Sequence, residues 1–463
     1  MNYLISIVIT LVGWAILTSA GDGLTANLEA AGLNTSLAEK VSEPMTISSL
    51  FAASLISVIF YIWTYQKSKT TFWLIAILAF CLSEPAIPVI HELSLGLRYL
   101  FLATIIGILT PGALQGLNKN KLAIPLLLFG SVVVASSIVN IEQGAAATSL
   151  AGLLIIGIIA PLTLPNQLSN QLKELEDAFL YAFSLLGIIF ATALIANPHA
   201  FVAGRFCSWF VLPTNFGNLC SLMCIYFLWY ATNNSLPKQK RIVATLSLIL
   251  CLSMLVLSGT RNGMFSFVIA AILISLLLDK KVGIKMLASL VVIGLILAPS
   301  MTMREHFHKA TERFFMVRDK ESRDEVWNMA VEMIKKSDFL GYGINITAGS
   351  DPKRTINPHN TILGNYLRFG VLGATSVLLI YLIVLFQAFF YRNTQKGKNK
   401  FIVLSQIMAI ILFISGMFED NYSGGVGVYQ FLIALFISLS QSHSTPLEPA
   451  RSVRQQKPLL NMA

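Results

Sequence analysis

The stretch ATSVLLIYLIVLFQAFFYRNTQKGKNKFIVLSQIMAIILFISG (374–416) sets two apolar runs on either side of a basic connector, YRNTQKGKNK (391–400). Residues 374–390 and 401–416 carry no acidic or basic residue. A helix rises about 1.5 Å per residue and a hydrocarbon core is about 30 Å thick, so about twenty apolar residues cross it. The first run extends back to about residue 362 and the second on to about residue 417, which brings both into that range. Two helices therefore cross a bilayer here. The connector gathers Arg392, Lys396, Lys398 and Lys400 on one side of it.

The same rhythm runs from end to end. The chain is 55% hydrophobic and only 12% charged, against about 25% charged residues in soluble domains, and its mean hydropathy is +0.70. Roughly fourteen apolar runs follow one another, so an all-α polytopic membrane protein of about 12–14 transmembrane helices is expected. Alternation of period two is missing, which argues against a β-barrel. With the N-terminus in the cytoplasm, the connectors QKSK (66–69), NKNK (118–121), PKQKR (237–241), DKKVGIK (279–285) and YRNTQKGKNK all fall inside. The tail with Arg451, Arg454 and Lys457 joins them, while short outer loops hold only Lys40, Arg98, Arg205 and Arg261. This asymmetry is the positive-inside rule. The net charge of +10 is therefore topological and no nucleic-acid partner follows from it. The first run (3–19) reads as an uncleaved anchor, since no Lys or Arg precedes it. Of the five cysteines only Cys207 lies outside a span, so no disulfide framework is expected. Cys220 and Cys224 share a helix face and read as packing.

One segment breaks the rhythm. The divisions expected are an N-terminal helical bundle (1–299), a large outer loop (300–361), C-terminal spans (362–440) and a cytoplasmic tail (441–463). Within the loop, ESRDEVWNMAVEMIKK (321–336) reads as an amphipathic helix. Ser322 and Glu325 have capping-box spacing, and Val326, Trp327, Ala330, Val331, Met333 and Ile334 form its apolar stripe. Lys335 and Lys336 suit the helix C-terminus, and FLGYG (339–343) ends it. A second amphipathic piece, NQLSNQLKELEDAF (166–179), is expected at the inner interface.

The polar residues that can carry chemistry converge on the outer side. Arg205 lies in GRFCSWFVLPTNFGN (204–218), Arg261 in the tight connector SGTRNG (258–263), and Arg323 opens the loop helix. Gly259 and Gly263 would let the backbone approach a ligand. Arg323 in a first helical turn opposes the helix dipole, a placement that suits a bound anion. His359 stands between Pro358 and Asn360 at the mouth of the next span; it reads as a general acid or base, or as part of an N-cap made by Asn360. His306 and His308 have no nearby third ligand. No spaced pair of outer carboxylates offers to hold a divalent cation for a phosphate leaving group, and Glu419 and Asp420 are adjacent, so they point apart on a helix. Arginines bind phosphate oxygens bidentately and stay charged. Arginines and one histidine on the outer face suggest attack on a diphosphate-linked substrate without a metal.

These motifs resemble the bacterial O-antigen ligase and polymerase superfamily of integral-membrane glycosyltransferases. PTNFGN (213–218), LSGTRNGMFSFVIAAILISLLL (257–278), SRDEVWNMAVEMIKKSDFLGYGI (322–344) and PHNTILGNYLRFGVLG (358–373) carry the resemblance through their order and separation around one large loop. It implies a GT-C-like enzyme of the inner membrane, with no cofactor or metal, working on the periplasmic face. The donor implied is a glycan on undecaprenyl diphosphate, and the acceptor is lipid A–core. Position by position, His359 matches the family's catalytic loop histidine, and Arg261 and Arg323 match arginines that hold the lipid diphosphate; Arg205 joins them on its location alone. A polymerase, which hands the chain to another lipid-linked repeat unit, differs only in the acceptor, as does a protein-glycosylating relative. A lipid-linked oligosaccharide transporter is the alternative from another class. It would call for broken helices and ionisable groups near the midplane, where Arg368 comes nearest.

Overall fold

The structure, a computed structural model, describes residues 59–85, 120–140, 147–278, 321–344, 358–390, 399–418 and 427–442, with single residues between 87 and 104. The expected spans 3–19 and 284–299, the pairs His306/His308 and Glu419/Asp420, and the basic tail lie outside the described residues. Within them the protein is an all-α polytopic membrane protein. Four helices are long and apolar enough to cross a membrane: Leu150–Leu168, Leu172–Ala196, Lys238–Ser258 and Thr361–Phe389. Shorter apolar helices, α1 (Lys69–Cys81) and α2 (Ala123–Val139) among them, pack beside these.

The chain continues as α3 (Ala147–Leu154), a π turn (Ile155–Ile159) and α4 (Ala160–Leu168), which form one rod, then α5 (Leu172–Ala196). The segment 166–179, expected as an interfacial piece, instead contributes the end of α4 and the start of α5 on either side of a short turn. Its amides are used there. Trp73 Nε1 donates to Gln171 Oε1 and Tyr65 donates to Gln167 Oε1, each at 2.9 Å. After α5 come a two-stranded hairpin, β1 (Phe201–Val202) and β2 (Arg205–Phe206), then α6 (Pro213–Thr232), α7 (Lys238–Ser258) and α8 (Arg261–Leu277). The loop helix α9 (Glu321–Lys336) has the bounds read from the sequence, and α10 (Thr361–Phe390), α11 (Lys400–Gly416) and α12 (Val428–Ser440) complete the order.

Helix α6 is the hub. Every residue from Phe216 to Tyr230 is buried, and α7, α8 and α11 pack around it. A helix buried all round belongs at the centre of a bundle. The outer surfaces of the bundle are apolar: Ile124, Ile188, Ile195, Leu246, Ile272 and Phe386 are all exposed. In water such a surface would demand a partner, whereas lipid is the solvent that accepts it. At the end of the bundle formed by the α4–α5 and α6–α7 turns, Lys240 pairs with Asp177.

Helix α10 is broken. Gly370 takes φ +67° and ψ −167°, far from helical values, in the region where glycine alone is comfortable. The break removes intrahelical partners from the preceding carbonyls, and the segment after α9 replaces them. Tyr342 N donates to Leu367 O and Gly343 N to Arg368 O, both at 2.9 Å. Ser136 of α2 adds a third bond, its hydroxyl on Arg368 O at 3.0 Å. The approach is too close for a side chain, because a Cβ on Gly370 would stand 1.9 Å from Phe339 O. Tyr342 also donates from its hydroxyl to Met333 O, and Val326 and Ala330 of α9 cluster with Leu367. The loop helix is thus docked on the broken helix by backbone bonds and by an apolar patch.

Gly370→Ala should therefore undock the 337–344 segment. We expect a loss of roughly 1 kcal/mol or more in stability, read as a lower midpoint of thermal unfolding in detergent, and faster proteolysis at 337–344. Gly157→Ala, where an added Cβ meets only the Leu153 side chain within 3.4 Å, should leave both unchanged.

Candidate functional site

Three connections meet at the other end of the bundle. The first is the turn between α7 and α8. Gly259, at φ +57°, closes α7 as a left-handed cap. Thr260 is extended, and Arg261 is the first residue of α8. Thr260 is buried at 1% exposure, and its hydroxyl donates to Pro213 O at 2.9 Å. Two glycines make the close packing possible. A Cβ on Gly217 of α6 would stand 2.2 Å from Thr260 Oγ1, and one on Gly263 would stand 2.8 Å from Gly217 O. Gly263 thus serves the contact between α6 and α8, not the approach of a ligand as its sequence context suggested. Arg261 itself is exposed. A cation on the first turn of a helix opposes the dipole, and an anion resting there would reverse that penalty.

The second connection is the hairpin before α6. Ala203 and Gly204 both take positive φ, +51° and +75°, the two-residue turn that suits the twist of paired strands. It holds Arg205 rigidly, and Arg205 reaches the first connection. Its Nε donates to Ser258 O at 2.7 Å and an Nη to Thr260 Oγ1 at 3.2 Å. Placement alone suggested a diphosphate ligand; the geometry gives two of its nitrogens to the turn that presents Arg261. Cys207, two residues after Arg205, is buried, and burial pushes its thiol above the usual range, so it is not poised as a reactive thiolate.

The third connection carries His359. Its backbone is left-handed, φ +49°, a conformation few residues other than glycine adopt and one that costs about 1–3 kcal/mol. Both neighbours are held. Asn360 is the N-cap of α10, its Oδ1 accepting from Ile362 N at 2.9 Å and Leu363 N at 3.1 Å, so the capping role read from the sequence is real and belongs to Asn360. The carbonyl of Pro358 accepts from Trp327 Nε1 of α9 at 2.9 Å. Arg323 stands one helical turn before Trp327 on α9; its side chain lies outside the described residues, as does that of Ser322 in the expected capping box.

The end of α11 draws the first and third connections together. Asn262, the residue after Arg261, donates from Nδ2 to Ser415 Oγ at 2.9 Å and Ser415 O at 3.2 Å. Asn360, the residue after His359, donates from Nδ2 to Met417 O at 3.2 Å. Two amides, each beside a candidate site residue, grip positions two residues apart on one helix end. Beneath them Asn218, Ser221, Ser266, Ser415 and Tyr429 line a small recess, with room for about one water molecule. Asn218 Oδ1, Asn262 Oδ1, Ser221 Oγ and Ser266 Oγ are buried and find no hydrogen-bond partner among the described residues. A water molecule in the recess would satisfy those of Asn218, Ser221 and Ser266. Among the described residues no group of three His, Cys, Asp or Glu side chains is arranged to hold a metal. Trp327, Asn262 and Ser415 escaped the sequence reading; Trp327 was visible only as part of an apolar stripe.

Thr260→Val should leave Pro213 O and Arg205 without their shared hydroxyl. A cost of about 1–3 kcal/mol follows for a buried acceptor stripped of its donor, measurable as a fall in thermal midpoint, with Thr260→Ser close to wild type.

Two comparisons bear on this arrangement. Residues 246–378, which contain the α7–α8 turn, α9 and the His359 connection, match the family model of the O-antigen ligases. An uncharacterised protein of Haemophilus influenzae (strain ATCC 51907 / DSM 11121 / KW20 / Rd) is 20% identical over 252 residues, which cover 48% of this chain and 63% of that protein. The chain thus spans less than two thirds of the length of the curated relative that it matches. Through residues 246–378 the chain is similar to the O-antigen ligase family.

Proposed function

We propose that the protein is a membrane glycosyltransferase of the O-antigen ligase type, which moves a polysaccharide from undecaprenyl diphosphate to lipid A–core on the periplasmic face of the inner membrane. The observation that carries this reading is the joint grip of Asn262 and Asn360 on the end of α11, which ties the turn bearing Arg261 to the kink bearing His359. The match to the O-antigen ligase model supports lipid-linked glycans as the substrate class, and the charge asymmetry of the connectors supports the outer placement.

In this reading Arg261 and Arg323 bind the diphosphate, and Arg205 contributes through the turn it holds. The acceptor hydroxyl attacks the anomeric carbon as the bond from that carbon to the phosphate oxygen breaks. Undecaprenyl diphosphate leaves with the bonding electrons, and the configuration inverts. His359 takes the proton of the attacking hydroxyl. The arginines stabilise charge that grows on the departing oxygen, the kind of interaction that strengthens in the transition state. No metal is required in this scheme, because guanidinium groups supply the positive charge. A polymerase would use the same chemistry with a lipid-linked repeat unit as acceptor.

The test is carried out in cells that depend on this protein for their surface glycan. Replacing it with His359→Ala should lower transfer by about 100-fold or more, and Arg261→Ala by a similar factor. Long chains on undecaprenyl diphosphate with bare lipid A–core are the expected result. Lipid A–core capped by a single repeat unit would assign the polymerase reaction instead. An unchanged glycan ladder in His359→Ala would overturn the transferase reading and return a transporter to consideration.

A further inference from the structure

The geometry points to Trp327 as a positioning residue for His359, a role that rests on the transferase reading above. The peptide between Pro358 and His359 is a rigid plane, so a bond that fixes the Pro358 carbonyl also fixes the direction from which His359 leaves. Trp327 Nε1 makes that bond at 2.9 Å. On the other side Asn360 is anchored three times, to Ile362 N, Leu363 N and Met417 O. The left-handed conformation of His359 at φ +49° is thereby set from both flanks. The loop helix supplies one flank and the membrane helices supply the other.

Docking of α9 does not explain the indole bond. The helix is already fastened by Val326 and Ala330 against Leu367, by Tyr342 on Met333 O, and by the backbone bonds of Tyr342 and Gly343 to the broken helix. These lie along α9 and beyond its C-terminal end. The indole bond is separate from them, and its acceptor is the carbonyl next to the histidine. A tryptophan nitrogen is a donor only and has a single direction, so it suits holding one carbonyl in one orientation. Through it the loop helix sets the aim of the imidazole, and movement of α9 on accepting a substrate would be passed directly to His359.

The experiment compares Trp327→Phe, which keeps a ring and removes the N–H, with wild type in purified full-length protein. The donor is an undecaprenyl-diphosphate oligosaccharide and the acceptor is lipid A–core. The expected result is a fall in kcat of about 10- to 100-fold, the scale of a displaced catalytic group, with KM for the donor within about twofold. Val326→Ala, which loosens the same helix without touching the indole, should lower the thermal midpoint but keep kcat within about threefold. Modification of His359 by diethylpyrocarbonate, followed by mass spectrometry of its peptide, should be several-fold faster in Trp327→Phe, and this readout needs no transfer reaction. Wild-type kcat in Trp327→Phe, or an equal fall of kcat in Val326→Ala, would overturn the positioning role while leaving the transferase reading intact. If wild type transfers nothing, the transferase reading fails, and with it the catalytic role given to Trp327.

Discussion

Inside a membrane a backbone carbonyl that loses its helical partner must find another within the protein, since lipid offers none. The break at Gly370 creates that need in α10, and the segment after α9 meets it with the N–H groups of Tyr342 and Gly343. The rest of the site depends on this exchange. It brings the loop helix down onto the bundle, which carries Trp327 to Pro358 and leaves Arg323 one turn away on the same helix. Without the break there would be no seat for the loop, and His359 would have one flank instead of two.

Energetically the site is assembled from small, directed bonds set on a large apolar frame. Helix α6 supplies the frame, and its Gly217 lets the α7–α8 turn lie against it. Side-chain amides then do the positioning. Asn262, Asn360 and Asn140 each donate to backbone carbonyls, of Ser415, Met417 and Gly341 respectively. Each such bond contributes only about 1 kcal/mol, yet together they define which loops may approach one another. The strain at His359 is tolerated because its neighbours are over-determined, the usual circumstance of strained residues at working sites.

Much of this was legible beforehand. Apolar run length gave the membrane class, and apolar spacing with the two lysines at its end gave α9 its bounds. Asn360 announced itself as a cap through its place before an apolar helix. What was hidden depended on contacts between residues distant in the chain. Gly263 looks like a loop glycine beside an arginine, and only the approach of α6 reveals its purpose. Arg205 looks like a free outer cation, and only the fold shows it bonded to Ser258 and Thr260. The segment 166–179 has the charge and apolar alternation of an interfacial helix, but Gln167 and Gln171 are used by Tyr65 and Trp73 about a hundred positions earlier in the chain. Gly370 sits between Phe369 and Val371, two residues after Arg368, and apolar spacing alone reads the whole span as one straight helix.

On the function proposed above, the end of the bundle bearing Arg261 and His359 receives a lipid diphosphate. The most direct measurement is an electron cryomicroscopy structure of the protein with undecaprenyl diphosphate bound. Density for the two phosphates is expected within hydrogen-bonding reach of the Arg261 guanidinium, with the His359 imidazole facing the position of the sugar. Head-group density at the opposite end, beside Lys240 and Asp177, would contradict it.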